Sequence, residues 1–344
     1  MTSVKQPLII LTGPTAVGKT ALSIELAKAV GGEIISADSM QVYRHMDIGS
    51  AKVTKEEMEG IPHYLIDVLD PQDDFNVVTF QTMAKQAMNE IYSHNKIPII
   101  TGGTGFYIQA LLYDIDFKEN DEKNPVREEL EQLAEKLGEN APQVLHQKLQ
   151  EVDPEAAAQI HANNIKRVIR AIEYFKQTGE KISQHNEEMH QKDSPYNFLY
   201  YVLTRDRKVL YERIDRRVDI MMENGLVDEV KKLKDMGCHR GQTSMQGLGY
   251  KEILDYLDGG CTLEEAVYIL KRDTRHFAKR QLTWFRREKD VRWLDLDQYQ
   301  GNADLILADI LKDCEQAEIV LKIANRKKSK FNKDRSYHIM EQNV

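Results

Sequence analysis

The chain of 344 residues is longer than one typical domain, and at 41% hydrophobic it can bury a substantial core. Its formal net charge of −8 argues against a protein that coats nucleic acid indiscriminately. No apolar run reaches the length of a membrane span, and the stretch from Met1 to Pro7 is too short and polar for a secretory signal, so no membrane contact and a cytoplasmic location are expected.

Residues 8–12 form an apolar run of strand length, and residues 21–30 carry helical apolar spacing. A strand is predicted over 33–37, another over 64–68, a helix over 75–93 and a strand over 97–101. Strands alternating with helices predict βαβ units and an α/β fold, with a mostly parallel sheet and helices on both faces. From 116 to about 194 the strand signal stops, leaving charged, helix-period stretches such as 125–137, 142–149 and 165–177. It resumes at 198–204, which predicts a helical insertion at 116–195 within a core of 1–115 and 196–315. Helices follow over 208–222, 226–236, 251–257 and 263–287, and residues 316–344 form a basic tail. Cys238, Cys261 and Cys314 share no metal-ligand spacing and read as reduced thiols.

Gly13-Pro14-Thr15-Ala16-Val17-Gly18-Lys19-Thr20 satisfies G-x-x-x-x-G-K-[ST] between a strand and a helix, the context of a P-loop NTPase-like fold. Backbone N–H groups and the helix N-terminus there suit a phosphate. Lys19 offers a mobile cation, and Thr20 a hydroxyl for phosphate or Mg²⁺. Which phosphate is bound stays open at this point: a kinase or ATPase would need a carboxylate for its metal, and Asp67 is a candidate.

Asp38 follows the second strand at the edge where open parallel sheets bind ligands. It opens the run Asp38-Ser39-Met40-Gln41-Val42-Tyr43-Arg44, continued by Met46-Asp47-Ile48-Gly49-Ser50-Ala51-Lys52. Together with the glycine-rich Gly102-Gly103-Thr104-Gly105, Gln150-Glu151-Val152-Asp153-Pro154, Leu248-Gly249-Tyr250-Lys251-Glu252 and 278–286, this resembles the tRNA dimethylallyltransferase (isopentenyltransferase) family over four fifths of the chain. The resemblance implies that the loop holds dimethylallyl diphosphate rather than ATP. The prenyl group would pass to the N6 amine of the adenosine immediately 3′ of the anticodon, with Mg²⁺ as cofactor.

Carried onto this chain, the resemblance makes Asp38 the general base, with Thr20 and Arg217 acting on the diphosphate. Arg213 and Arg217 are spaced to share one helix face. Ser39, Met40 and Gln41 match the segment that reads a flipped base, and Thr104 matches a position near the adenine. A second phosphate-binding turn is the alternative for Thr104. Contacts to the anticodon stem-loop are expected from Arg127, Lys166, Arg167, Arg170, Gln246, Gly249, Tyr250, Lys251, Lys279, Arg280, Gln281, Trp284 and Arg286. The segment 271–293 holds nine Lys or Arg against three acids. It reads equally as an amphipathic helix with Phe277 and Trp284 in the core. The insertion would clamp the anticodon arm, and no protein partner beyond a monomer is expected. Three rivals remain: a small-metabolite kinase, a prenyltransferase of free adenylate, for which the insertion is superfluous, and a non-catalytic RNA-binding regulator.

Overall fold

The computed structural model describes residues 5–117 and 124–319. In chain order the elements are β1 (Gln6–Thr12), α1 (Lys19–Val30), β2 (Gly32–Ala37), β3 (His63–Tyr64), α2 (Val77–Ser93), β4 (Ile97–Gly102) and α3 (Gly105–Leu112). Five helices follow, α4 (Pro125–Leu137), α5 (Ala141–Val152), α6 (Pro154–Gln159), α7 (Ile165–Thr178) and α8 (Ile182–Gln191). The chain then forms β5 (Tyr196–Thr204), α9 (Arg207–Glu223), α10 (Leu226–Asp235), α11 (Tyr250–Leu257), α12 (Leu263–Phe285), β6 (Val291–Asp295) and α13 (Ala303–Gln316).

The six strands make one sheet in the order β3-β2-β4-β1-β5-β6, with every neighbouring pair parallel. A parallel sheet is covered on both faces, which is why β1 from Pro7 onward and all of β2 are buried residue after residue rather than alternately. One face sets Ile9, Leu11, Ile34, Ile99, Tyr201 and Leu203 against Leu22 and Leu26 of α1 and Ile306 and Ile310 of α13. Residues of the opposite register, Leu8, Ile10, Ile35, Ile100 and Val202, are buried as well. There α2 packs on β2 and β4. Each such side chain contributes about 1.5–3 kcal/mol on leaving water.

The chain divides into two compact units at Leu112/Tyr113 and again at Ser194/Pro195, so the sheet-containing unit is interrupted by the other. The second unit has its own core: Leu130 of α4, Leu145 and Leu149 of α5, and Val168, Ile169 and Ile172 of α7. Asp153 is fully buried there. It accepts from Ala156 N at 3.0 Å as the cap of α6, and from Ser183 N at 2.9 Å and Ser183 Oγ at 2.7 Å.

The predicted strand over 64–68 needs correction. Only His63–Tyr64 pairs with β2, because Leu65 (φ 62°) and Asp67 (φ 55°) enter the left-handed region and turn the chain off the sheet. In the sheet-containing unit three elements, α3, β6 and α13, have no counterpart among those predicted. β6 is a five-residue strand whose Arg292 and Trp293 are exposed, so its apolar signal is weak. The basic tail lies outside the described residues beyond Ile319. Among the described residues, no helix is long and apolar enough to cross a membrane.

Candidate active site

Four strands deliver side chains to the carboxyl edge of the sheet: the loop 13–18 after β1, Asp38 after β2, Thr104 after β4 and Arg205 after β5. Gly18 takes φ 116° to launch α1 at Lys19. Lys19 folds back on its own loop, its Nζ donating to Gly13 O at 3.0 Å and Pro14 O at 2.8 Å. Burial, then the charge of Arg217, push its pKa down to about 7 against the pull of Asp38.

Three arginines hold the loop from the other side. Arg205 Nε donates to Val17 O at 3.1 Å, Arg213 Nε to Ala16 O at 2.9 Å, and Arg217 Nη1 to Thr15 Oγ1 at 3.2 Å. Burial lowers the pKa of Arg217, and Asp38 raises it in part. Among the described residues, Arg205 alone of these cations has a carboxylate partner within ion-pair distance, Asp297 at 3.4 Å. The surplus positive charge suits a polyanion.

Asp38 is half-buried. Met40 N at 2.8 Å and Gln41 N at 3.3 Å both donate to its Oδ1. This turn leaves Oδ2 as the oxygen that can receive a proton. Behind it lies an aromatic wall: Tyr107 stacks on Phe80 at 4.8 Å and meets Phe75 edge-on at 5.6 Å. Burial and the charge of Asp38 push the Tyr107 hydroxyl up to about 12, so it stays protonated. Sequence reasoning misses Tyr107 and Arg205. The position of Arg205 just past a strand end is the same signal that marks Asp38.

Two glycines of the turn after β4 have a packing reason. A Cβ on Gly103 would come within 2.1 Å of Gln281 Nε2, and one on Gly105 within 2.2 Å of the Trp284 ring. The glycines thus admit side chains from α12, while Thr104 starts α3 by accepting from Ile108 N. Gln281 itself is buried, its Oε1 accepting from Thr15 N at 2.9 Å and its Nε2 donating to Gly103 O at 3.0 Å. Expected as an RNA contact, it is instead a brace between the two loops.

Other expected contacts are also engaged internally. Tyr250 is fully buried, and its hydroxyl donates to Glu229 Oε1 at 2.8 Å. Gly249 N donates to Glu252 at 2.8 Å. Gln246 Nε2 donates to Arg240 O, and Lys251 lies 3.4 Å from Glu252. In the second unit, Arg127 at 2.8 Å and Arg170 at 3.3 Å both pair with the buried Glu173. Both arginines, expected to contact RNA, are thus drawn to an internal carboxylate.

Lys166, Arg167, Lys279, Arg280 and Arg286 are exposed. Lys279 and Arg280 line a groove of about 430 Å³ with His276, Thr283, Trp284 and Arg287. Phe277 and Trp284, expected either in the core or at an RNA surface, are half-buried, while Ala278, Gln281 and Phe285 face the core. Asp67 lies at the sheet edge beyond β3, its Oδ1 2.5 Å from Lys52 Nζ, three strands from β1. The strand next to β1 on that side, β4, runs into Gly102-Gly103-Thr104-Gly105 with no carboxylate, so the Walker-type arrangement is missing from this edge.

Residues 41–288 match the model of a family described as IPP transferase. Over 315 residues, 92% of this chain and 99% of its relative, the chain is 62% identical to a protein of Lachnoclostridium phytofermentans named tRNA dimethylallyltransferase. Among solved structures, the full-length tRNA isopentenylpyrophosphate transferase from Bacillus halodurans is 46% identical with a TM-score of 0.69, covering 94% of this chain and 100% of that one. A eukaryotic dimethylallyltransferase captured acting on tRNA is 30% identical with a TM-score of 0.77, covering 90% of this chain and 80% of that one.

Proposed function

Because the chain belongs to the IPP transferase family, we propose that it is a tRNA dimethylallyltransferase, moving a dimethylallyl group from its diphosphate to N6 of the adenosine 3′ of the anticodon. The observation that carries this reading is the pairing of a carboxylate with a cationic phosphate loop at one sheet edge, Asp38 being felt electrostatically by both Lys19 and Arg217. The diphosphate sits against the loop Gly13 to Gly18, where Pro14 has no N–H and the Thr15 N–H is taken by Gln281, with Lys19, Thr20 and Arg217 on its oxygens. As the N6–C1 bond forms, the C1–O bond breaks and its electron pair leaves with the diphosphate. The amine proton goes to Asp38 Oδ2. Cations gathered at the loop stabilise the charge that develops on the leaving oxygens, commonly the largest share of such catalysis.

Among the described residues no cluster of three His, Cys, Asp or Glu side chains could cage a metal. Mg²⁺ needs no such cage, since it keeps waters and binds through one or two protein oxygens plus substrate phosphate. The exposed Thr20, directly after Lys19, fits that role. When bound, the ion would neutralise charge on the leaving diphosphate.

For the RNA, the adenine leaves its stack to reach Asp38. Ser39, Met40 and Thr104 then border the base, and Lys279, Arg280 and Arg286 meet backbone phosphates. In the second unit, Lys166 and Arg167 are the cations we assign to the anticodon arm. The enzyme acts as a cytoplasmic monomer in this reading. The test is mass spectrometry of nucleosides after incubation with dimethylallyl diphosphate, Mg²⁺ and an anticodon stem-loop RNA. Prenylated adenosine is expected. Phosphate transfer from ATP to a nucleoside, with no prenylation, would replace this reading with a kinase.

A further inference from the structure

Glu229, in the first turn of α10, is a buried carboxylate with no part in the chemistry above. Its Oε2 accepts from Asp47 N at 2.9 Å and Ile48 N at 2.8 Å, and its Oε1 from Gly49 N at 3.0 Å and the Tyr250 hydroxyl at 2.8 Å. Three consecutive backbone N–H groups thus close on one side chain, as such groups close on a bound anion elsewhere. The same tyrosine oxygen accepts from Ser50 N at 3.1 Å. Its ring lies so close that a Cβ on Gly49 would come within 2.6 Å of it.

The loop held in this way is connected to Asp38. Gln41 Nε2 donates to Ala51 O at 3.3 Å and reaches Ser50 O at 3.5 Å, while its Oε1 accepts from Ser36 Oγ at 3.2 Å. The amide of Gln41, expected to read the base, is therefore occupied by its own chain. Its backbone N–H is one of the two that hold Asp38 Oδ1.

We propose that Glu229 is a positioning residue: through the loop 47–51 and Gln41 it fixes the turn that aims the Asp38 carboxylate. The path contains no group that touches the phosphate loop, so orientation of the base is set separately from affinity for the diphosphate. The inference rests on the prenyl-transfer reading for its kinetic consequence and on the hydrogen-bond path for its structural one.

The decisive variant is Glu229→Gln, which keeps the shape but turns an NH₂ toward the backbone donors. Its kcat should fall by about ten- to a hundredfold, the scale of an ångström-sized misplacement of a catalytic group. KM for dimethylallyl diphosphate and affinity for inorganic diphosphate should stay within about twofold. Combined with Gln41→Ala the losses should fall short of their product, because both cut one path. A folded Glu229→Gln protein with wild-type kcat, or with losses that multiply with those of Gln41→Ala, overturns the proposal. If Glu229→Gln does not fold, Tyr250→Phe is judged by the same two criteria. Amide hydrogen exchange separates this inference from the proposed function. Even if the wild-type chain prenylated no RNA, Glu229→Gln should quicken exchange at Met40 and Gln41, and unchanged protection there refutes the path.

Discussion

Burial lowers the pKa of Lys19 to about 7, with Arg217 adding to the effect, and this has a measurable sign. In the free protein Lys19 loses its proton as pH rises through that value. A diphosphate beside it favours the charged form, so above pH 7 binding takes up a proton. Titration calorimetry with inorganic diphosphate should show this uptake, and affinity should fall with rising pH more steeply for the wild type than for Lys19→Met. The ligand's own ionisation is common to both proteins, so identical pH profiles would remove Lys19 from diphosphate binding. Asp38 predicts the opposite division. Asp38→Ala should reduce single-turnover rates by about two to four orders of magnitude, the usual share of a general base. Diphosphate binding should be kept, because Lys19, Thr20 and Arg217 remain. Near-normal rates in that variant would mean the proton goes elsewhere.

At the level of elements, α12 does two jobs on two faces. Its buried face sends Gln281 between the loops after β1 and β4, while its exposed face carries Lys279 and Arg280. Gln281→Leu removes both hydrogen bonds and leaves Thr15 N–H and Gly103 C=O without them. An unsatisfied buried polar group costs about 1–3 kcal/mol, so a loss of that order per group is expected in chemical denaturation. Salt dependence of RNA binding should be unaffected; a change in slope with intact stability would restore Gln281 as an RNA contact. In the second unit Asp153 ties α6 to α8. Its depressed pKa, held down by Ser183 and Ala156 against burial, means stability present above the unfolded carboxylate pKa and lost as pH falls through the folded value. Asp153→Asn should flatten that acid limb, as read by circular dichroism between neutral and acidic pH.

Taken as a whole molecule, the chain is acidic yet displays exposed cations on α12 and α7. Binding to RNA should therefore be local and salt-dependent rather than diffuse. Neutralising Lys279 and Arg280 together is expected to weaken stem-loop binding. The log–log salt slope should become shallower by roughly 0.7–0.9 for each RNA phosphate that no longer meets a cation. Affinity for dimethylallyl diphosphate should hold, since the loop and Arg217 are untouched. An unaltered slope and affinity would assign this helix to the fold alone.

The α/β alternation, the phosphate loop and Asp38 are legible in the sequence because each is a local pattern. A strand followed by Gly13 to Thr20 and a helix needs only consecutive residues to declare itself, and the acid after β2 follows from the same strand-end logic. What local pattern could not reveal is where a polar side chain finds its partner. Gln281 and Thr15 are 266 residues apart, and Glu229 lies about 180 residues from the loop it gathers. Such groups look like surface polar residues in the sequence, and burial turns them into braces because an unpaired donor or acceptor in the interior is costly. For the same reason the buried Glu173 takes as partners Arg127 and Arg170, both expected as RNA contacts. Residue type and spacing marked a phosphate loop and a carboxylate at one sheet edge, and the family resemblance supplied the roles expected of them. Long-range burial determined which of the remaining polar residues stay available to a ligand.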